Sequence, residues 1–234
     1  MLGFDGKMKA ITFSYDDGVL QDIRLIEIFN KYGLKSTFNL NSERFGIEVH
    51  LVRGGVEVEH FKVQAKDVKK IYHGHEVAAH TLTHPGLCKL EDEQVIYQVE
   101  QDRRNLSELV GYDVCGMAYP GGGVNHDDRV VDLVSKHTGI QYARTIMCTH
   151  DFEPQRELFR FKPSVYHMDF DKMFELGEEF LKSKPDHPQI YYIWGHSYEF
   201  DIANTWDKFE EFCEMMSGRD DIFYGTNRQI LLGK

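Results

Sequence analysis

Hydrophobic positions along the chain follow two spacings, one typical of buried strands and the other of amphipathic helices. Residues 9–15 form a short apolar run that ends in two aspartates and a glycine, and residues 20–32 then place apolar side chains near helical spacing. This alternation continues along the chain. The pattern predicts strands at 9–15, 35–40, 76–79, 114–119, 140–145, 189–194 and 222–224, and helices at 20–32, 65–72, 90–110, 127–137, 171–182 and 205–217.

Strands that alternate with helices predict an α/β fold with a parallel sheet, either open or closed into a barrel. One segment departs from this order. Residues 47–63 alternate apolar and polar positions around Gly54 and Gly55, which predicts an inserted β-hairpin. The six prolines are unclustered, and no linker or internal repeat divides the sequence. We therefore expect residues 1–234 to form a single domain.

Polar or glycine-rich clusters follow four of the predicted strands. The clusters are Asp16-Asp17-Gly18, His80-Thr81, Pro120-Gly121 and Gly195-His196. In a (β/α) barrel the C-terminal ends of the strands converge on one face, and that face carries the chemistry. The positions of the clusters therefore favour a (β/α) barrel with these side chains gathered at one mouth.

The carboxylates and imidazoles in these clusters suit a metal-dependent hydrolytic site. Gly18 permits a sharp turn, so that Asp16 and Asp17 can reach the same mouth, one to bind a metal and one to handle a proton. His80 and His84 are four residues apart, a spacing that puts two imidazoles on one face of a helical turn. The structural alternatives are a pair of helix-capping aspartates and two histidines with ordinary polar contacts.

Two histidines and one aspartate form an incomplete coordination shell. The open positions are available to water and substrate, which is typical of a catalytic rather than a structural metal site. Zinc suits these nitrogen and oxygen ligands best, and cobalt, nickel or iron would also fit.

Composition and charge narrow the classes of function. Hydrophobic residues make up 41% of the 234 residues and charged residues 28%, which excludes disorder, collagen and coiled coil. Acidic residues outnumber basic ones by 38 to 27, so the formal charge is −11. This charge argues against a nucleic-acid partner and an anionic membrane. No apolar run approaches the ~18 residues of a membrane span.

The cysteines and the first residues bear on localisation. Four cysteines lie far apart without a CxxC pair, which fits a reducing compartment. No basic segment followed by an apolar one is present at the start, so no signal peptide is visible. We therefore expect a cytoplasmic chain, and the sequence leaves a homo-oligomer open.

The four clusters also resemble a known family. TFSYDDG, HTLTHP, AYPGGG and IWGHS occur in this order between Thr12 and His196. They are similar to the signature motifs of the polysaccharide deacetylase family, carbohydrate esterase family four. The resemblance implies a distorted (β/α) barrel with about seven parallel strands. It also implies a divalent metal and the removal of acetyl groups from N- or O-acetylated carbohydrates.

The resemblance further implies a role for individual residues. The implied assignments are Asp17, His80 and His84 as metal ligands, Asp16 as general base, His196 as general acid, the Gly121 backbone N–H as oxyanion donor, and Trp194 as a residue of the acetyl pocket. Apart from the resemblance, Tyr119 lies beside a strand end and is a candidate to stack on a sugar, and Arg160 is a further candidate substrate-site residue.

Two departures from the family pattern affect the predicted site. Many members carry an arginine, paired with the base aspartate, at the position of Ala118. Arg160 and Arg144 are the candidates to replace it, and Arg160 is slightly preferred. The usual Asp-Trp pair that supports the acid histidine is also not evident, and Asp169 and Asp171 are the candidates for that role.

Other functions remain as alternatives. One is a related C–N hydrolase of the same fold that acts on a small linear or cyclic amide. Another is a catalytically inactive carbohydrate-binding relative, although the complete set of implied catalytic residues argues against it. A two-carboxylate glycosidase is excluded, because Asp16 and Asp17 are adjacent and cannot flank a sugar at the ~5–9.5 Å separation that this mechanism needs.

Overall fold

A parallel β-sheet that curls on itself organises the chain, and the computed structural model describes residues 4–234. The strands are β1 Lys9–Asp16, β2 Ser36–Leu40, β3 Glu48–Arg53, β4 Val56–Phe61, β5 Glu76–Ala79, β6 Gly116–Ala118, β7 Tyr142–Arg144, β8 Val165–Tyr166, β9 Gln189–Gly195 and β10 Ile222–Tyr224. The helices are α1 Asp22–Lys31, α2 Val68–Ile71, α3 Asp92–Val110, α4 Asp128–His137, α5 Phe170–Lys182, α6 Glu199–Ala203, α7 Trp206–Met216 and α8 Asn227–Leu232. Short 3₁₀ turns occur at Ser42–Arg44, Ala65–Asp67, Leu87–Lys89 and Leu158–Arg160.

Seven parallel strands follow the spatial order β7-β6-β5-β2-β1-β9-β8, and β10 also pairs with β1. A short segment between β7 and β8 brings the edges of this sheet together. The Phe161 N–H donates to the Ala143 carbonyl in β7 (3.0 Å), and the Ser164 N–H donates to the Tyr192 carbonyl in β9 (2.8 Å). Because this segment bonds to both sides, the sheet curls into a distorted barrel. The predicted (β/α) barrel with about seven parallel strands is confirmed.

The central strands are buried because they are covered on both faces. All eight residues of β1 are buried, and so are all five of β2. Helices on the outer side and the barrel interior together exclude water from these strands, as expected for a parallel sheet. This burial fixes the direction of β1 and carries its last residue, Asp16, to the barrel mouth.

The hairpin of β3 and β4 lies over the C-terminal end of β1. Its strands are antiparallel and are joined at Gly54 and Gly55, which both have positive φ. The end of β4 runs beside the chain that leaves β1, with the Leu20 N–H donating to the Phe61 carbonyl (2.8 Å). Val58 anchors the hairpin in a small apolar cluster. The insertion is therefore held against the mouth of the barrel.

Several short elements have no counterpart among the predicted ones. Strand β8 has two residues and α6 has five, so neither is long enough to show a hydrophobic period. Helix α8 was also missed. Strands β6 and β7 are three residues each, shorter than the predicted 114–119 and 140–145. None of the helices in residues 4–234 combines the length and the apolar character needed to cross a membrane.

Candidate active site

The C-terminal ends of the strands open into a cavity of about 560 Å³. Residues from all four sequence clusters line it, together with the tip of the hairpin. Eight of the nine site residues expected from the sequence are among the lining residues: Asp16, Asp17, His80, His84, Tyr119, Gly121, Trp194 and His196. The ninth, Arg160, lies outside.

Asp17, His80 and His84 come together as a group able to hold a metal ion. One ligand atom from each lies within 4.8 Å of the others. The expected helical turn between the histidines is absent. Thr81 and His84 instead have φ angles of 67° and 64°, and Asp17 has a φ of 85°. Left-handed backbone costs energy for these residue types, and it clusters at functional sites. We infer that the two loops adopt it because it brings Asp17 and the histidine side chains into the cavity.

The protonation of His80 suits a metal ligand. Its Nδ1 lies 2.8 Å from the Ala118 carbonyl oxygen. A carbonyl can only accept, so Nδ1 carries the proton and Nε2 presents its lone pair to the cavity. Burial lowers the pKa of His80 to about 4 and also lowers the pKa of His84. Both imidazoles are therefore neutral at pH 7, and with the Asp17 carboxylate they fit a divalent cation such as zinc.

Two residues of the hairpin segment contact Asp17. His60 Nε2 lies 3.3 Å from Oδ2, and Lys62 Nζ lies 3.3 Å from Oδ1. Burial would raise the pKa of Asp17, but the His60 hydrogen bond and the Lys62 charge hold that pKa well below its usual range. Asp17 is consequently an ionised carboxylate, as metal ligation requires.

Asp16 is buried and held by two side chains. Its Oδ1 accepts hydrogen bonds from Asn39 Nδ2 (2.8 Å) and from Arg144 Nη2 (2.6 Å), and Arg144 also contacts Oδ2. Burial would raise the pKa of Asp16, but the Arg144 charge, together with that of His196, lowers it. Oδ2 lies 4.0 Å from Nε2 of His80 and of His196. Asp16 is thus a fixed, ionised acceptor between the metal-ligand group and His196.

His196 has a carboxylate partner within the same turn. Its Nδ1 lies 3.1 Å from Glu199 Oε2, and that oxygen also contacts His167 Nε2 at 2.8 Å. Burial would lower the pKa of His196, but the Glu199 hydrogen bond and charge, with smaller contributions from Asp17 and Asp16, raise it to about 9. His196 is therefore an imidazolium at neutral pH and has a proton to give.

Tyr119 and Gly121 form one wall of the cavity. The Tyr119 hydroxyl donates to the Phe159 carbonyl (2.9 Å), so its ring rather than its hydroxyl faces the mouth. Gly121 has a φ of 84°, where any side chain would be strained although space is open. Asn125 Nδ2 donates to the Gly121 carbonyl (3.0 Å) and fixes this peptide. Within residues 4–234 the Gly121 N–H donates no hydrogen bond, so it is available to a ligand.

Trp194 forms the opposite wall. The Arg144 guanidinium lies over its ring at 4.6 Å, and the Tyr166 ring lies 4.9 Å away. The indole is only 9% exposed, so a small apolar surface faces the cavity. A surface of this size suits a small acyl group better than a sugar ring.

Comparison with known proteins gives the family. Residues 4–143, more than half of the chain, match the sequence profile of the polysaccharide deacetylases. The chain belongs to the polysaccharide deacetylase family. No curated protein matches it by sequence.

Solved structures of the same family share the fold of this deacetylase-family chain. A family 4 acetyl xylan esterase from Clostridium thermocellum, solved with a cobalt ion, has a TM-score of 0.59 at 14% identity, covering 96% of this chain and 91% of that one. A family 4 carbohydrate esterase from Streptomyces lividans, solved with acetate, has a TM-score of 0.57 at 14% identity. The match covers 94% of this chain and 93% of the esterase. A mutant of a family 4 pseudoenzyme, with restored enzymatic activity, has a TM-score of 0.56 at 17% identity. The match covers 95% of this chain and 67% of the pseudoenzyme.

The arginine that many deacetylases carry at the position of Ala118 is replaced from the neighbouring strand. Ala118 in β6 pairs in register with Arg144 in β7, so the guanidinium reaches Asp16 from one strand further along the sheet. The preference for Arg160 as the partner of Asp16 is wrong. Arg160 bonds to Asp128 at the outer rim, on a 3₁₀ turn that does not reach the cavity.

The expected partner of the acid histidine also differs. Asp169 caps α5 by accepting from the Lys172 N–H, and Asp171 lies 3.5 Å from Lys208. Neither contacts His196, so the expectation for these two aspartates is wrong. Glu199 holds the imidazole instead, because only a short turn separates β9 from α6, and the first side chain of α6 points back toward His196.

Asn39, His60 and Lys62 are site residues that sequence reasoning missed. Asn39 is a polar residue near the C-terminal end of a fully buried strand, and it pairs in register with Asp16. His60 and Lys62 are two residues apart, so an extended chain turns both side chains to one face. Both patterns are visible in the sequence, but neither indicates which other segment of the chain these side chains contact.

Replacing Glu199 with glutamine is expected to shift the alkaline limb of the pH profile of kcat/KM to lower pH. A general acid is active only while protonated, and removing the Glu199 charge lowers the pKa of His196. The midpoint of the alkaline decline in kcat/KM should therefore lie at least about one pH unit lower than in the wild type. Glu178→Gln, an exposed change on α5, is the matched control and should leave the limb in place. An unchanged limb in Glu199→Gln would show that Glu199 does not set this pKa.

Proposed function

We propose that residues 1–234 form one catalytic domain, a metal-dependent hydrolase that removes acetyl groups from N- or O-acetylated carbohydrates. One observation carries the proposal. A group of metal-ligand type, formed by Asp17, His80 and His84, lies in the same cavity as an ionised carboxylate and a protonated imidazole. Acyl transfer to water requires these components together.

Each protein group has a distinct part in the proposed reaction. Asp16 accepts a proton from the attacking water, and His196 donates one to the departing amine or alcohol. The Gly121 N–H stabilises the oxyanion, a contribution of roughly 3–4 kcal/mol per donor in well-studied hydrolases. Asp17, His80 and His84 would hold a divalent cation, which would supply Lewis-acid polarisation of the acetyl carbonyl and a lower pKa of water.

The shape of the cavity supports an acetylated sugar as substrate. Trp194 offers a small apolar surface near the catalytic groups, which suits the methyl group of an acetyl. The hairpin tip at Arg53 and Gly54 also lines the cavity, and we infer that further sugar units would contact it. Structures of the same fold were solved with acetate and with a cobalt ion, in agreement with an acetyl substrate and a divalent metal.

Acetate release tests this proposal directly. The metal-free protein is reloaded with zinc or cobalt and incubated with N-acetylglucosamine oligomers and with acetylated xylo-oligomers. We expect acetate from at least one substrate series when metal is present, and none when a chelator is present. A folded, metal-loaded protein that binds these sugars without releasing acetate would contradict the proposal and identify an inactive relative.

A further inference from the structure

We propose that Lys62, from the segment that follows the hairpin, weakens the binding of a divalent cation by Asp17, His80 and His84, so that the metal of this chain is readily exchanged. The inference rests on the proposed function, because it takes these three residues as the metal ligands. It concerns a residue outside the ligand set whose charge lies next to one ligand atom.

The chain around Lys62 is fixed beside the end of β1. Val19 and Lys62 form an antiparallel bridge, and the Val63 N–H donates to the Gly18 carbonyl at 3.0 Å. With the Leu20 bond to Phe61, these contacts make residues 61–63 a short strand partner of residues 18–20. The Lys62 side chain is therefore delivered to Asp17 by backbone pairing.

Lys62 has little freedom to leave this position. Its side chain is 2% exposed, and Nζ donates to the Asp17 carbonyl oxygen at 2.5 Å while lying 3.3 Å from Oδ1. Within residues 4–234 its ammonium has no other carboxylate within 4.0 Å. The ammonium of Lys62 is thus bound to Asp17 twice, by a hydrogen bond to its backbone carbonyl and by an ion pair with its carboxylate.

The second oxygen of Asp17 is taken by another residue. His60 Nε2 lies 3.3 Å from Oδ2, whereas the imidazole of His84 lies 3.9 Å from Oδ1. A cation held with His84 therefore meets Oδ1, the oxygen that Lys62 already contacts. The ammonium and the metal would share one carboxylate oxygen.

Two positive charges on the same oxygen repel each other. In a partly buried site, the repulsion between the ammonium and a divalent cation would lower the metal-binding constant by more than about tenfold. Removing the ammonium charge while keeping the side-chain volume should therefore strengthen metal binding. A purely positioning role for Lys62 predicts the opposite, since a loosened Asp17 would bind metal more weakly.

The test measures metal affinity without any substrate. Zinc binding to metal-free protein is measured by competition with a chromophoric chelator, at one pH and ionic strength. The proteins are the wild type, Lys62→Met, Lys62→Gln and the control Lys66→Met, which removes an equal charge from an exposed position outside the cavity. Thermal unfolding of each metal-free protein shows which of them are folded.

We expect both Lys62 variants to bind zinc at least about tenfold more tightly than the wild type and to release it more slowly to excess chelator. The Lys66→Met control should match the wild type. If Lys62→Met does not fold, Lys62→Gln decides, because its amide keeps a hydrogen-bond donor near Asp17. Equal or weaker binding in the folded Lys62 variants overturns the inference alone. A wild type that binds no zinc overturns the proposed function as well.

Discussion

Replacing His80 with alanine is expected to abolish metal binding and to lower kcat/KM for acetyl release by at least about 10³-fold. His80 is the most completely buried of the three proposed ligands, and its Nε2 is kept free for the cation by the bond from Nδ1 to the Ala118 carbonyl. Two remaining ligands give a much weaker site. The measurement is zinc content by elemental analysis, together with kcat/KM after reloading with zinc.

An exposed histidine supplies the control for this change. His73 precedes β5, whereas His80 follows it, so the two lie at opposite ends of the same strand. His73→Ala should retain both metal and activity. Full zinc content in His80→Ala, in a protein that unfolds at the wild-type temperature, would remove His80 from the ligand set. Chelation of the wild type should reproduce the loss of activity, and added zinc or cobalt should restore it.

Asp16→Asn is expected to keep the metal while lowering kcat/KM by about 10²–10⁴-fold. The change preserves the size of the side chain and one of its two acceptor oxygens, but it removes the group that takes a proton from water. Arg144 is then left buried without a full counter-ion, so stability should fall by part of the ~3–5 kcal/mol that breaking a buried pair costs. The measurements are zinc content, kcat/KM and the free energy of unfolding in urea.

A second buried aspartate separates the loss of a base from the loss of a buried carboxyl group. Asp22 accepts hydrogen bonds from Ser197 and Tyr72, lies outside the cavity lining, and has a pKa that burial raises to about 7. Asp22→Asn should therefore leave kcat/KM close to the wild-type value. Near-normal turnover in Asp16→Asn, or an equal loss in Asp22→Asn, would assign Asp16 a structural part only.

Much of the fold was predictable from local pattern. Parallel strands buried on both faces are rich in apolar residues, and β9 has an almost continuous apolar sequence. The turn residues directly after them mark the barrel mouth, because all strand ends of a parallel barrel point the same way. That direction alone placed Asp16 and His196 near each other, although 180 residues separate them in the sequence. Strand β8 and helix α6, of two and five residues, were missed because they are too short to show a period.

The supporting residues of the site were decided by tertiary structure. Arg144 rather than Arg160 reaches Asp16 because of the register between β6 and β7. Register depends on how two strands pair, so it cannot be read from the sequence of either strand alone. Glu199 holds His196 because α6 begins after a short turn that follows β9, and a helix of five residues is too short to show a sequence period.

The sequence by itself determined the class of fold, the barrel mouth and the residue types gathered there, because strand burial and strand direction are local properties. Only the tertiary structure decided which charges meet. Lys62 touches Asp17 because an inserted segment pairs with the chain that leaves β1, and no spacing along the sequence encodes that pairing. Charges act over a few ångströms, so the electrostatics of this site depend on contacts between segments that only the folded chain brings together.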